Sequence, residues 1–165
     1  MRRIVTARDL MKRPVRQLTM WTPAKDAAAF LLRHGISGAP VIDEHGKWRG
    51  VFTLSDLARG VRNRVLAGKS ERTLESREAV DLVFETLPQE LDKVQVGDLM
   101  TPGLFTVFPD ATLEEVVHAL TSFKVHRVFV IEEEGSELLG VITSMDVLRW
   151  MDTRPAGARH APGKA

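Results

Sequence analysis

The chain has 165 residues, with 23 Lys and Arg against 22 Asp and Glu, a formal net charge of +1 and no cysteine. That balance supplies no global attraction to nucleic acid or an anionic membrane, and the missing cysteine excludes disulfides, thiol nucleophiles and Cys-ligated metal. No apolar run approaches the ~18 residues of a membrane span and no signal-peptide core opens the chain, so a cytoplasmic protein is expected, built as one medium domain or two small ones sharing a core.

The first sixteen positions carry Arg2, Arg3, Arg8, Lys12, Arg13 and Arg16, opposed only by Asp9. Residues 15–19 read as a short extended segment. Thr22-Pro23 reads as the N-cap and first residue of a helix, with Ala24, Ala27, Ala28 and Leu31 on its apolar face. Strands are expected at 39–42 and 48–52, joined by a turn containing Gly46. A second helix starts near Asp56, with Leu57, Ala58 and Val61 as apolar positions. The segment from 62 to 96 has no counterpart elsewhere. Val80, Val83, Phe84 and Leu87 have helical spacing there, stopped by Pro88. Connector is its default role; lid or dimer contact are the others.

The same layout then returns. Residues 104–108 are extended. Leu113, Val116, Val117, Leu120 and Phe123 form a helical stripe. Strands are expected at 128–131 and 138–142 around Gly135. A helix starts near Asp146 with Val147, Leu148 and Met151. Leu10-Met11 matches Leu99-Met100 and Ile36 matches Val125, each at an offset of 89; Gly50 and Asp56 match Gly140 and Asp146 at 90. Such self-similarity marks a repeat. Each unit is β-α-β-β-α, an α/β (α+β) pattern. Too small to bury both faces of its sheet alone, it calls for a second copy packed against it. The tail from Thr153 is rich in Pro, Gly and Ala and is expected to be disordered.

The doubled pattern resembles a tandem pair of CBS domains, the regulatory modules named after cystathionine β-synthase. The resemblance is carried by Leu-Met near the start of each copy, Ile-Ser-Gly-Ala-Pro-Val-Ile-Asp at 36–43 and Gly-Val-Phe-Thr-Leu-Ser-Asp-Leu at 50–57. In the second copy it is carried by Val-His-Arg-Val-Phe-Val-Ile at 125–131 and Gly-Val-Ile-Thr-Ser-Met-Asp-Val at 140–147. It implies a first repeat at 4–64, a connector at 65–93 that is partly helical, a second repeat at 94–151 and a tail at 152–165. It also implies two repeats packed as a pseudo-two-fold pair, with clefts that in many relatives bind AMP, ADP, ATP or S-adenosylmethionine. Such pairs usually sense rather than catalyse, and often dimerise.

Thr53-x-x-Asp56 and Thr143-x-x-Asp146 fit that reading chemically. A ribose cis-diol presents two O–H donors that one carboxylate can accept, and charge-assisted bonds are the stronger kind. A helix start favours the anion. The same pattern is also a plain capping box, and the two roles can coexist. His126-Arg127 offers donors suited to phosphate, which is where relatives place such a pair. Ser37-Gly38 replaces it in the first copy, with a hydroxyl and backbone N–H groups but no cation, so unequal clefts are expected. The family's adenine contacts fall near Val15 and Gln17 in one copy and Leu104 and Thr106 in the other.

The five histidines make no metal-ligand spacing and there is no P-loop or dinucleotide fingerprint; neither a catalytic residue nor a metal site is expected. No cofactor is required, and Mg2+ enters only alongside ATP or ADP. The expected partners are a nucleotide, a second copy in a homodimer, and a regulated protein. The alternatives are a ligand-independent scaffold module and, less favoured, nucleic-acid binding through the basic N-terminus. That cluster can also lend cations to a phosphate, Lys12, Arg13 and Arg16 flanking the first strand.

Overall fold

The computed structural model describes residues 4–66, 93–132 and 137–153. The helix expected at 80–87, the turn at Gly135 and the tail after Thr153 lie outside the described residues. The chain divides into two compact units: Met1–Val15 with Phe105–Ala165, and Arg16–Leu104. These are called the Asp146 unit and the Asp56 unit. Their boundaries are not those of the sequence repeats, because the segment that leads into each repeat belongs to the unit built around the other.

In the Asp56 unit, β1 (Leu18–Thr19), α2 (Ala24–Arg33), β2 (Gly38–Ile42), β3 (Trp48–Thr53) and α3 (Leu54–Leu66) come from the first repeat, whose opening helix α1 (Ala7–Leu10) belongs to the other unit. A short helix α4 (Val96–Leu99) and strand β4 (Thr101–Pro102) come from the lead of the second. The sheet order is β1-β2-β3-β4, with β1 parallel to β2 and the other pairs antiparallel. Apolar alternation does what it should on this sheet. Leu18, Ala39, Val41 and Phe52 face Ala27 and Leu31 of α2, and Val96 closes the cluster.

The Asp146 unit repeats the plan with β5 (Thr106–Val107), α5 (Leu113–Ser122), β6 (Arg127–Ile131), β7 (Leu138–Thr143) and α6 (Ser144–Asp152), joined by α1 (Ala7–Leu10). Its sheet order is β5-β6-β7. Lys12 makes the pairing that β4 makes in the other unit, as a single bridge to Val141. Its core is Val128, Val130 and Ile142 against Val116, Ala119, Leu120 and Val147, with Ala7 and Leu10 of α1 inserted.

Several expectations need correction. Pro23 is the N-cap of α2 rather than its first residue, and makes no side-chain cap bond. The Thr22 hydroxyl instead pairs with the Thr19 hydroxyl at 2.9 Å. The buried stripe on α5 is narrower than the spacing predicts. Val116 and Leu120 are buried, but Val117 is 37% and Phe123 55% exposed, and Ala119 takes the core position. A helix laid on one sheet buries a single narrow face; Phe123 is the C-cap, stacked on Phe105 with ring centroids 4.7 Å apart. On α6 only Val147 of the three expected residues is buried, while Leu148 and Met151 are exposed. Ala58 on α3 is exposed as well.

Two glycines that marked the repeat have a physical reason. Gly50 and Gly140 sit where a lead segment crosses β3 and β7. A Cβ at Gly50 would land on the Thr101 carbonyl oxygen, and one at Gly140 would lie 2.7 Å from the Met11 side chain. The β2–β3 turn is held by Asp43. One carboxylate oxygen accepts the N–H groups of His45 and Lys47, both at 2.9 Å, and the other accepts Arg49 Nε at 2.7 Å. Burial alone would raise this carboxyl, but the bonds from Lys47, Arg49 and His45 outweigh it and hold it below the usual range.

Gly50→Ala should therefore destabilise the fold by about 1–3 kcal/mol, because backbone must move to admit the methyl. Denaturant unfolding monitored by circular dichroism measures it. The Asp43 contribution should be fully present above the ordinary carboxylate pKa and lost as pH falls through the lowered folded value. Asp43→Asn should lower stability at neutral pH and flatten the acid limb of the stability curve.

Candidate functional site

Each unit builds the same arrangement where a strand runs into a helix. At the end of β7 the Thr143 hydroxyl accepts the Asp146 N–H at 3.3 Å and donates to Asp146 Oδ2 at 2.6 Å. The Thr143 N–H donates to the same oxygen at 2.9 Å. This is a full capping box, so the plain structural reading of the pattern holds. At the end of β3, Thr53 N–H and Oγ1 donate to Asp56 Oδ2 at 2.9 and 2.7 Å. Both carboxylates are buried, 7% exposed at Asp146 and 4% at Asp56.

The outer oxygens differ. Asp146 Oδ1 takes the Lys12 ammonium at 2.6 Å, with Arg149 at 3.8 Å. Asp56 Oδ1 takes Arg59 from the next helical turn and the Thr101 hydroxyl at 3.1 Å. Lys12 and Thr101 hold the same place in the repeat, directly after Leu-Met, at an offset of 89. The repeat offset marks them as counterparts of each other but does not say what they touch, and sequence reasoning missed both as partners of the aspartates. It set Lys12 beside the first strand, whereas the lead segment carries Lys12 to Asp146 in the second repeat. Burial works to raise the Asp146 carboxyl, but the Lys12 ammonium and the Thr143 hydroxyl and N–H outweigh it, leaving the group below its ordinary value.

Strand register brings the expected phosphate residues to the same point. Arg127 of β6 faces Thr143 of β7, and Gly38 of β2 faces Thr53 of β3. The carbonyls just before these strands tie to the helix starts: His126 O accepts the Ser144 N–H at 3.1 Å, and Ser37 O accepts the Leu54 N–H at 3.2 Å. The His126 and Ser37 side chains are exposed, and Arg127 is half-buried. Burial lowers the Arg127 pKa from its ordinary value, though a guanidinium remains charged. Thr143, Asp146, His126, Arg127 and Lys12 thus share one unit, and Thr53, Asp56, Ser37 and Gly38 share the other.

The expected adenine neighbourhoods straddle the boundaries between the two units. Val15 falls in the Asp146 unit and Gln17 in the Asp56 unit, while Thr106 and Leu104 divide in the same way. Gln17 lines a hollow of about 420 Å3 between β1 and α2, with Thr19, Asp26, Phe30 and Arg33, away from Thr53 and Asp56. Among the described residues no group of three or more acidic, His or Cys side chains can hold a metal ion, and no helix is long and apolar enough to cross a membrane. The basic N-terminal cluster is divided, with Lys12 engaged by Asp146 and Arg16 in the other unit.

A family model for the CBS domain matches residues 7–63 and 96–153. An uncharacterised protein of Methanocaldococcus jannaschii is 26% identical over 154 residues, covering 88% of this chain and 90% of its own. The chloroplastic CBS domain-containing protein CBSX2 of Arabidopsis thaliana is 30% identical over 135 residues, covering 78% of this chain; the match spans only 55% of that relative. The solved structure of CBSX2 in complex with AMP has a TM-score of 0.64 at 26% identity and covers 88% of this chain and 95% of that one. A CBS domain-containing protein of Bacillus anthracis superposes with a TM-score of 0.67 at 16% identity, covering 92% and 95%. The mixed α and β architecture is that of these CBS pairs, and the chain belongs to the CBS domain family, carrying two CBS domains in tandem.

Proposed function

We propose that this chain is a regulatory module that binds an adenosine-containing ligand and passes its occupancy to a partner protein. Thr143 and Asp146 take the ribose, and Arg127 and His126 meet the phosphate. The observation that carries this reading is the register pairing of Arg127 with Thr143. It sets Arg127 across the strand pair from Thr143, whose hydroxyl orients a buried carboxylate. The AMP complex of CBSX2 supports the same ligand class. The ligand acts by its differential affinity for one arrangement of the protein over another. Nothing in this role calls for catalysis or a resident cofactor; Mg2+ enters only with ADP or ATP. Exposed Met145, Leu148 and Met151, three residues apart along α6, support association with a second copy.

A different reading is favoured for the first repeat. Asp56 is held by Thr53, by Arg59 of its own helix and by the neutral Thr101 hydroxyl where Asp146 has Lys12, and Ser37-Gly38 stands in the sequence where the second repeat has His126-Arg127. There the carboxylate serves the fold, as a scaffold module would use it.

A thermal-shift panel of AMP, ADP, ATP, S-adenosylmethionine and NAD tests this. A true ligand at ~100-fold its Kd should add ~2.7 kcal/mol of stability. Asp146→Ala and Arg127→Ala should abolish the shift. Silence from every member, or a shift undiminished in both variants, refutes the proposal. Asp56→Asn should cost about 0.5–2 kcal/mol through the weakened cap while keeping the ligand response.

A further inference from the structure

We infer that Lys12 is a specificity-determining residue that restricts the Asp146 site to 5′-phosphorylated nucleosides, against neutral nucleosides and sulfonium ligands. This rests on the ligand reading above and adds a residue that comes from the lead of the other repeat.

Lone-pair accounting at Asp146 carries the inference. Oδ2 is filled by two donors from Thr143. Oδ1 has two acceptor positions and Lys12 holds one of them at 2.6 Å, so a diol that donates both hydroxyls to this oxygen must displace Lys12. Lys12 is 59% exposed on a flexible four-carbon stem, so it can swing aside without disturbing the core. A diol entering on Oδ1 takes over the contact that Lys12 made. For a neutral nucleoside that exchange loses an ion pair and returns nothing to the ammonium. The sugar's 5′ substituent lies only a few bonds from the diol. A phosphate there gives the displaced ammonium a new anion, and charge-assisted bonds are the stronger kind. A sulfonium at the same carbon meets Lys12, Arg127 and Arg149 as like charges.

The repeat supplies an internal control. Thr101 stands in the place of Lys12 in the other unit and brings a neutral hydroxyl to Asp56. In the sister unit the position after Leu-Met thus carries no charge, and Arg59 of the following helix supplies the cation on Asp56.

Titration calorimetry of the full chain with AMP, adenosine and S-adenosylmethionine tests this. The wild-type chain should prefer AMP over adenosine. In Lys12→Met, AMP should weaken and adenosine strengthen, shrinking the preference about tenfold, roughly one charge-assisted contact. Lys12→Arg should keep most of the preference, and Lys12→Gln should lose it. An unchanged AMP-to-adenosine ratio in Lys12→Met and Lys12→Gln, with AMP still bound, overturns the role of Lys12 and leaves the ligand reading standing. Wild-type protein that binds none of the three overturns both.

Discussion

The close approach of a lead segment to a strand of the opposite repeat is the constraint on which the rest depends. At Gly50 the crossing backbone, and at Gly140 the Met11 side chain, leaves no room for a Cβ. Lys12 exchanges hydrogen bonds with Val141 on both sides, at 2.9 and 3.2 Å, and Thr101-Pro102 pairs with Val51 and Gly50. Because the strand ends at Thr143 or Thr53 a short way on, the crossing residue arrives within reach of the carboxylate that caps the following helix. One small-residue requirement thus links the exchange of segments, the closing of each core by Ala7 and Leu10 or by Val96, and the surroundings of Asp146 and Asp56.

The capping aspartate has two oxygens with two separate tasks. The inner one completes the helix start and is saturated by its own threonine. The outer one is held by whatever the lead segment brings. A buried carboxylate without partners would be costly, and its pKa would rise. The Lys12 ammonium reverses that direction at Asp146. That carboxylate is satisfied on one side by its own threonine and held on the other by a lysine that is itself exposed. Asp56 is held by Arg59 on its own helix and by a hydroxyl.

The two units therefore differ in charge more than in shape. Their elements, registers and even the irregularities between Val41 and Ile42 and between Val130 and Ile131 correspond. What differs is a handful of side chains at one corner: Lys12 against Thr101, and His126-Arg127 against Ser37-Gly38. At that corner Lys12 and His126-Arg127 bring basic side chains where Thr101 and Ser37-Gly38 bring none.

The β-α-β-β-α order, the strand positions and the Thr-x-x-Asp caps were legible in the chain because they arise from local periodicity and short-range hydrogen bonds. The duplication itself was legible as fixed offsets. The helix faces were read less well: Val117, Phe123, Leu148 and Met151 fit a helical stripe yet stand exposed, because periodicity cannot tell a one-sided contact from a wider one. The exchange of lead segments could not be read locally at all. Nothing near Lys12 in sequence points to Asp146, which lies 134 positions away. Composition and pattern determined the type of unit and that it occurs twice. Only tertiary packing decided which lead segment crosses which strand, and so which cation stands on which carboxylate, since that choice depends on contacts between residues far apart along the chain.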